Sequence, residues 1–473
     1  MIKKLIAKSP QLLNFIAKKR LVSACKRAAK EVPLYRKLLQ EHNIDMEKFS
    51  FKDFHKLPEI DKKSYIHKAT SIKDLVRPNA FKEAGLIYRS SGYSGYPSFW
   101  IKSKGEINEA RQGYAVALRS VYKTRTYTTL MINCFSLGSW VAGMSVARFM
   151  DVETSILNLG TNKEEAIEAI KSLGKHFDQI ILAGYPPFVK NLLESGEKEI
   201  HWKNLRLHIV LGGEGFSPSF RKHLYEHYID QTKGSITSAY ASADLGLPGG
   251  NETPQTKMVM DELIRTNSLT DLFNGREDEA PMLFQYNPIN FYIYTNENKE
   301  LVFTSLSPQS VQPLIKYNLH DRGGVISYKK MQYYLKERNI NITFPFKLPF
   351  IYVYGRSQGE LKLHGRALYP ENIKEAIYAN PQISKQVTGV FKMYLVQKGG
   401  ETRLHIDLEL KQSLKPTPLL KKNFTKFLQQ SLSKTCSAYQ KLEALTKEQA
   451  ELQITLFEHG KFPHEQGLKN IYT

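Results

Sequence analysis

Cysteine is scarce: the chain of 473 residues has 3, Cys25, Cys134 and Cys436. They lie far apart and form no CxxC pair, which argues against a disulfide framework and against a zinc site. Each is expected in the core as a reduced thiol, the commonest place for a free cysteine. Long apolar runs are missing too. No stretch approaches the roughly 20 residues that span a bilayer, and Lys8, Lys18 and Lys19 fall where a secretory signal needs an unbroken apolar centre. A cytoplasmic location and no transmembrane segment are the resulting expectations. Acidic residues are outnumbered, 46 against 67 basic ones, for a formal charge of +21. The lysines are nevertheless spread along the chain and form no block interleaved with aromatics, so no specific nucleic-acid partner is expected; solvated faces or steering of an anionic substrate account for them. The first segment, Met1 to Arg20, sets Leu5, Leu12, Phe15 and Ile16 among lysines and reads as a helix docked on the protein's own core. Internal repeats and low-complexity tracts are absent.

What remains is the composition of a globular protein, 41% hydrophobic and 24% charged, too long for one hydrophobic core. Residues 1 to about 80 have helical spacing, broken at Pro33, with Asp61 placed to cap a further segment. From about 81 the texture changes. The β-rich runs "YTTLMINCF", "TSILNLG", "QIILAGYP", "LRLHIVLGGE" and "GSITSAYAS" alternate with helical stretches such as "KEEAIEAIKSLGKHF" and "PSFRKHLYEHY", the pattern of βαβ units. Glycine or serine turns at Gly92, Gly184, Gly212 and Ser242 follow or adjoin these strands, where ligands bind in parallel sheets. The stretch "FYIYTNENKELVFTSL" predicts two antiparallel runs about an Asn-Glu-Asn turn. After "YVYGRSQGELKLHG" a lysine-rich mixed segment of roughly 115 residues is large enough for a small domain.

The turn "YRSSGYSGYPSFW", Tyr88 to Trp100, is the first candidate site. A nucleophile elbow needs Gly-x-Ser-x-Gly, and here Gly95 comes one place early. A Walker loop needs four residues between its glycines and a following Lys-Ser or Lys-Thr, and neither is present. Two readings stay open on these residues alone: a plain turn, or a loop whose backbone NH groups and Ser90, Ser91 and Ser94 hydroxyls wrap phosphate, with Gly92 and Gly95 allowing close approach.

Taken in order with four later stretches, this turn resembles the phosphate loop of the adenylate-forming superfamily, the acyl-CoA synthetases. "LGGEGFSP", Leu211 to Pro218, resembles the segment beside the adenine; "YASADLG", Tyr240 to Gly246, the Tyr-Gly-x-Thr-Glu-x-Gly motif; "YNLHDRGG", Tyr317 to Gly324, the Tyr-Arg-Thr-Gly-Asp-x-Gly motif; and "YGRSQGELKLHGRALYPENI" the hinge and the loop after it. The stretches "KEVPLYRKLLQEHNID" and "LPEIDKK" are similar to the start of the phenylacetate-CoA ligase and capsule-biosynthesis branch.

The resemblance implies an α/β fold: a large N-terminal domain with mostly parallel sheets and an N-terminal helical segment, then a small mobile α+β C-terminal domain, divided as 1–80, 81–355 and 356–473. It implies an ATP- and Mg²⁺-dependent acid–thiol ligase acting on a small-molecule carboxylic acid, with CoA or an acyl or peptidyl carrier protein supplying the thiol, and a homodimer among the assemblies to expect. Nucleotide binding falls to Ser90, Ser91, Gly92, Ser94, Gly95, Gly213, Glu214, Tyr240, Ser242, Asp321 and Arg356. Asp244 stands at the position of the metal carboxylate, as Asp for the family's Glu, and Mg²⁺ typically takes one or two carboxylates plus phosphate oxygens. Phe135, Trp140 and Tyr185 are the acyl-pocket candidates, and Gly365 the thiol-passage glycine. Two departures stand out. Gln358 replaces the hinge aspartate, and Leu468 follows Gly467 where relatives have the catalytic lysine, leaving Lys469 one place late. Two alternatives therefore accompany the ligase reading: an acyl-protein synthetase-like transferase, with Cys436 as a conceivable acceptor, and a weakened relative that binds nucleotide without turnover.

Overall fold

The computed structural model describes residues 9–90, 98–246, 248–275, 279–356, 361–364, 366–398, 401–445 and 450–463. Helix α1, Pro10–Glu31, is capped by the Ser9 hydroxyl and buries Leu13, Ala17, Leu21, Ala24 and Ala28. This spacing of three and four residues puts one apolar stripe on the core. Val32 is extended and Pro33 opens α2, Pro33–Glu41, so the chain breaks where proline would remove the helical hydrogen bond. The segment that follows lies along the sheet: the Ile60 amide donates to the Lys316 carbonyl at 2.9 Å, and the Asn318 amide to the Ile60 carbonyl at 2.8 Å.

The core then runs β1 (Ala84–Arg89), β2 (Phe99–Ser103), α3 (Lys104–Val121), β3 (Thr129–Asn133), α4 (Val141–Phe149), β4 (Ser155–Asn158), α5 (Lys163–Leu173), β5 (Gln179–Gly184), α6 (Pro186–Gly196), β6 (Leu207–Gly212), α7 (Pro218–His227) and β7 (Ser235–Ala241). There follow β8 (Pro248–Asn251), α8 (Pro254–Arg265), β9 (Met282–Gln285), β10 (Phe291–Thr295), β11 (Glu300–Ser305), β12 (Tyr317–Ile326), α9 (Tyr328–Glu337) and β13 (Phe350–Arg356). Eleven of these strands form one sheet in the order β10-β11-β12-β13-β9-β8-β7-β6-β5-β3-β4. Pairing is parallel from β4 through β7, the βαβ half, and antiparallel from β7 to β10. Strands β3 and β5 are buried at every residue because helices cover both faces, which is why they read as unbroken apolar runs. β10 and β11 pair antiparallel around Asn296 to Lys299, as the alternation and turn residues require.

Beyond Arg356 the chain leaves this sheet for a two-stranded ribbon, β14 (Leu361–Leu363) with β15 (Arg366–Leu368). Helix α10 (Pro370–Tyr378) comes next, then a three-stranded sheet of β16 (Val387–Lys398), β17 (Glu401–Leu410) and β18 (Gln453–Phe457) packed on α11 (Pro418–Thr435). This C-terminal part is docked on α6 and α7. The Phe220 and Tyr378 rings meet edge to face at 4.7 Å, and the fully buried Lys190 ammonium donates to the Val387 carbonyl at 3.1 Å. One hydrophobic cluster runs from β3, β5 and β6 into the C-terminal sheet. No described helix is long and apolar enough to cross a membrane.

A buried imidazole makes the parallel half sensitive to acid. His208 on β6 lies 2.8 Å from Ser235 Oγ and 3.2 Å from Gln179 Oε1, and burial, reinforced by Arg206, lowers its pKa to about 4. An unfolded histidine takes its proton near pH 6.5. The unfolded chain therefore binds the extra proton first, and stability is expected to fall as pH drops from about 6.5 towards 4, by on the order of 3 kcal/mol from this residue. Urea midpoints measured across that window should slope downwards with acid, and less steeply in His208→Gln; equal slopes would contradict this origin.

Candidate active site

The parallel strands β5, β6 and β7 end at Gly184, Gly212 and Ala241, so the turns carrying Tyr185, Gly213, Glu214, Ser242 and Asp244 emerge together from one edge of the sheet. Phosphate-loop candidates Ser91, Gly92, Ser94 and Gly95 lie outside the described residues, as do Tyr93 and Tyr96. The base of that loop is well defined. β1 and β2 form an antiparallel hairpin, the Ser90 amide donates to the Ser98 carbonyl, and the Ser98 amide donates to Ser90 Oγ, both at 2.9 Å. Ser90 is buried, and its hydroxyl oxygen staples the loop ends together. Trp100 is buried on the core side of the hairpin and Phe99, beside it, is 54% exposed.

Gly213 has φ +86°, and a methyl group there would stand 2.4 Å from Tyr185 Cε1. Only glycine fits on both counts. Tyr185 in turn meets Phe135 edge to face at 5.0 Å, so two acyl-pocket candidates pack directly beneath the segment expected to border adenine. Burial, with the Glu214 carboxylate nearby, raises the Tyr185 phenol to about 12, so it stays a neutral hydroxyl. Trp140 is joined to a different neighbour: its backbone bridges Arg89, at the foot of the hairpin.

Tyr240, Asp321 and Arg356 come from three strands and meet. Asp321 is the register partner of Arg356 across β12 and β13; the Tyr240 hydroxyl donates to Asp321 Oδ2, and Arg356 Nε lies 3.8 Å from Asp321 Oδ1. Tyr240 stacks on Phe303 with ring centroids 5.9 Å apart. Burial and the adjacent Asp321 carboxylate hold its phenol well above the ordinary value, which keeps it a hydrogen-bond donor. The approach of β13 to β12 depends on the paired glycines after Asp321. A methyl on Gly323 would fall 2.1 Å from the Tyr352 carbonyl oxygen, and one on Gly324 would fall 2.3 Å from the Tyr352 hydroxyl.

The turn after β7 places Asp244. Ser242 Oγ accepts from the Leu245 amide at 3.2 Å and the Ser242 carbonyl from the Gly246 amide at 3.0 Å, so Ser242 shapes the turn. Asp244 is buried, with Oδ2 accepting from the Tyr317 hydroxyl at 2.6 Å and Oδ1 3.5 Å from the Lys62 ammonium. The two oxygens thus face a phenol and a cation. Among the described residues no group of three acidic, histidine or cysteine side chains is arranged to hold a metal. This donor set does not fit Mg²⁺ held by the protein at Asp244, because the ammonium already supplies the positive charge that a bound cation would bring.

Sequence reasoning assigned no role to Lys62, Tyr317 or Lys374. Lys62 follows Asp61, whose Oδ2 lies 2.9 Å from His320 Nε2, and the pairing of Ile60 with β12 carries both residues to the site. Lys374 on α10 donates to Glu214 Oε2 at 3.2 Å and to the Gly215 carbonyl at 3.0 Å, tying the C-terminal part to the Gly213–Gly215 segment. Nothing local marks these residues, since their partners are distant in the chain. Gly365, Gln358 and Lys469 lie outside the described residues. Cys25, Cys134 and Cys436 are all buried, and Cys436, at 1% exposure, is out of reach of an acyl donor in this arrangement.

No family model and no curated protein matches the chain. Solved structures do. A 2-hydroxyisobutyryl-CoA ligase in the postadenylation state, in complex with 2-HIB-AMP, aligns with a TM-score of 0.67 at 13% identity, over 97% of this chain and 89% of that one. An anthranilate-CoA ligase in complex with anthranoyl-AMP aligns at 0.50 and 9% identity, over 80% and 64%. The chain has the adenylate-forming ligase fold. The same 2-hydroxyisobutyryl-CoA ligase in its thioesterification state, in complex with 2-HIB-AMP and CoA, scores 0.56 at 13% identity over 98% and 90%.

Proposed function

We propose that the protein is an ATP-dependent acid–thiol ligase, which joins a carboxylic acid to the α-phosphate of ATP, releases pyrophosphate and passes the acyl group to the thiol of CoA or a carrier. The observation that carries this reading is the meeting of Tyr240, Asp321 and Arg356 beside the Gly213–Glu214 turn, on the fold of acyl-CoA ligases. Asp321 offers carboxylate oxygens to the ribose hydroxyls. Arg356, half exposed at the end of β13, faces the phosphates with several fixed donors. The hairpin loop above Ser90 and Ser98 wraps the outer phosphates, and Phe135 and Tyr185 border the acyl group. Lys469 is assigned to bridging the carboxylate and the α-phosphate. Within the superfamily, the N-terminal stretches support the phenylacetate-CoA ligase and capsule-biosynthesis branch, acting in the cytoplasm.

Isotope exchange between pyrophosphate and ATP, run over a panel of aryl, fatty and amino acids, tests the reading. At least one acid should drive exchange, and ATP should raise the melting temperature. Silence across the panel together with no thermal shift would sink it.

A further inference from the structure

Helix α11 carries Lys421, Lys422, Lys426 and Lys434 and not one acidic residue. It buries Phe424, Leu428 and Leu432, which turns its opposite face to solvent. On that face positions 421, 425, 429 and 433 form one row and 422, 426, 430 and 434 a second, the spacing of neighbours on a helix surface. The two rows make an open surface that presents the four lysines with Gln429 and Gln430. All four lysines are exposed. Among the described residues the one carboxylate in the lining, Glu443, accepts from Ser433 Oγ at 2.6 Å, and the nearby ion pairs of Lys411 with Glu194 and Lys461 with Glu458 engage other lysines.

From Lys421 to Lys434 the helix rises about 20 Å. One phosphate of a free nucleotide meets one or two of these charges, and the lining has no aromatic ring on which a base could stack, as a nucleotide or a single-stranded RNA would require. A row of positive charge that long, interspersed with amide donors, matches the acidic helix of a folded protein. Leu419, 69% exposed at the first turn of α11, adds an apolar contact at the rim.

We propose that this face of α11 docks an acidic carrier protein whose phosphopantetheine thiol is the acyl acceptor. The inference rests on the ligase reading and names its partner. In the transfer the carrier sulfur attacks the acyl carbonyl of the acyl-adenylate: the C–S bond forms, the C–O bond to AMP breaks, AMP leaves with the electron pair, and the thiol proton passes to solvent.

The probe is the acyl carrier protein of a bacterial fatty-acid synthase, in its apo form for binding by calorimetry and its holo form for acyl loading read by intact mass. The variant is Lys421→Glu/Lys422→Glu/Lys426→Glu, with the triple Gln variant as the milder partner should the first lose its native circular dichroism. The wild type should bind the apo carrier, more weakly in about 500 mM than in about 50 mM salt. The Glu variant should bind on the order of tenfold more weakly, the Gln variant in between, with pyrophosphate exchange and CoA turnover within about twofold of wild type. Equal binding by wild type and variants overturns the proposal, as does a parallel loss of CoA turnover, or a surface that retains an RNA oligomer or anionic vesicles and not the carrier. Carrier binding that is lost in the variants supports the surface even where exchange is silent, in which case only the ligase reading falls. Exchange without carrier binding removes the surface alone.

Discussion

Replacing Asp321 by alanine is expected to weaken ATP binding by about a hundredfold. The carboxylate is the point where β7, β12 and β13 converge: it accepts from the Tyr240 hydroxyl and stands opposite Arg356 in register. A hydrogen bond to a charged group contributes about 1.5–3 kcal/mol, and each 1.4 kcal/mol is a factor of ten, so losing the proposed ribose contact and the alignment of its two neighbours reaches two orders of magnitude. Asp321→Asn keeps the shape and loses the charge, and should cost about tenfold. Tyr240→Phe leaves the carboxylate in place and should cost less than either. Titration calorimetry with ATP and with a non-hydrolysable acyl-adenylate analogue reads the order directly. Affinities within twofold of wild type in Asp321→Ala would remove the nucleotide role of this residue.

Gly323→Ala is expected to be the most damaging methyl group that can be added near the site. Its Cβ would lie 2.1 Å from the Tyr352 carbonyl oxygen, a backbone atom held by the β12–β13 ladder and unable to swing away as a side-chain end would. The strands must separate, and with them Asp321 and Arg356. Overpacking of this kind costs about 1–3 kcal/mol when side chains give way, and a backbone clash in a central pair should reach the upper end or exceed it. ATP affinity should fall with stability. Gly113→Ala is the control: Gly113 lies inside α3 with nothing within 4 Å of an added Cβ, and the exchange there should stabilise by about 0.5–1 kcal/mol. Urea denaturation of the two variants should give opposite signs; a neutral Gly323→Ala would mean that β12 and β13 need not approach so closely.

Much of the fold was legible in the sequence. The runs "QIILAGYP" and "GSITSAYAS" read as strands and became β5 and β7; "KEEAIEAIKSLGKHF" and "PSFRKHLYEHY" read as helices and contain α5 and α7. Their periods and turn residues are properties of neighbours in the chain. The glycine turns after β5 and β6 were legible for the same reason; that Asp321 and Arg356 face each other across β12 and β13 was not. The surroundings of Asp244 were not legible. Position and residue type point to a metal carboxylate, whereas the fold supplies Lys62 and Tyr317 as its partners.

By itself, then, the sequence determined the order of elements, the ends of the parallel strands and the α/β class, because hydrophobic period and turn chemistry act over a few residues. Only the tertiary structure decided that the extended segment at Ile60 lies along β12 and delivers Lys62 to Asp244, that Tyr185 fills the space left by Gly213, and that Lys374 ties the C-terminal part to Glu214. Those contacts join residues far apart in the chain, and their energies depend on burial and on which charge arrives beside which, quantities that exist only once the layers have packed.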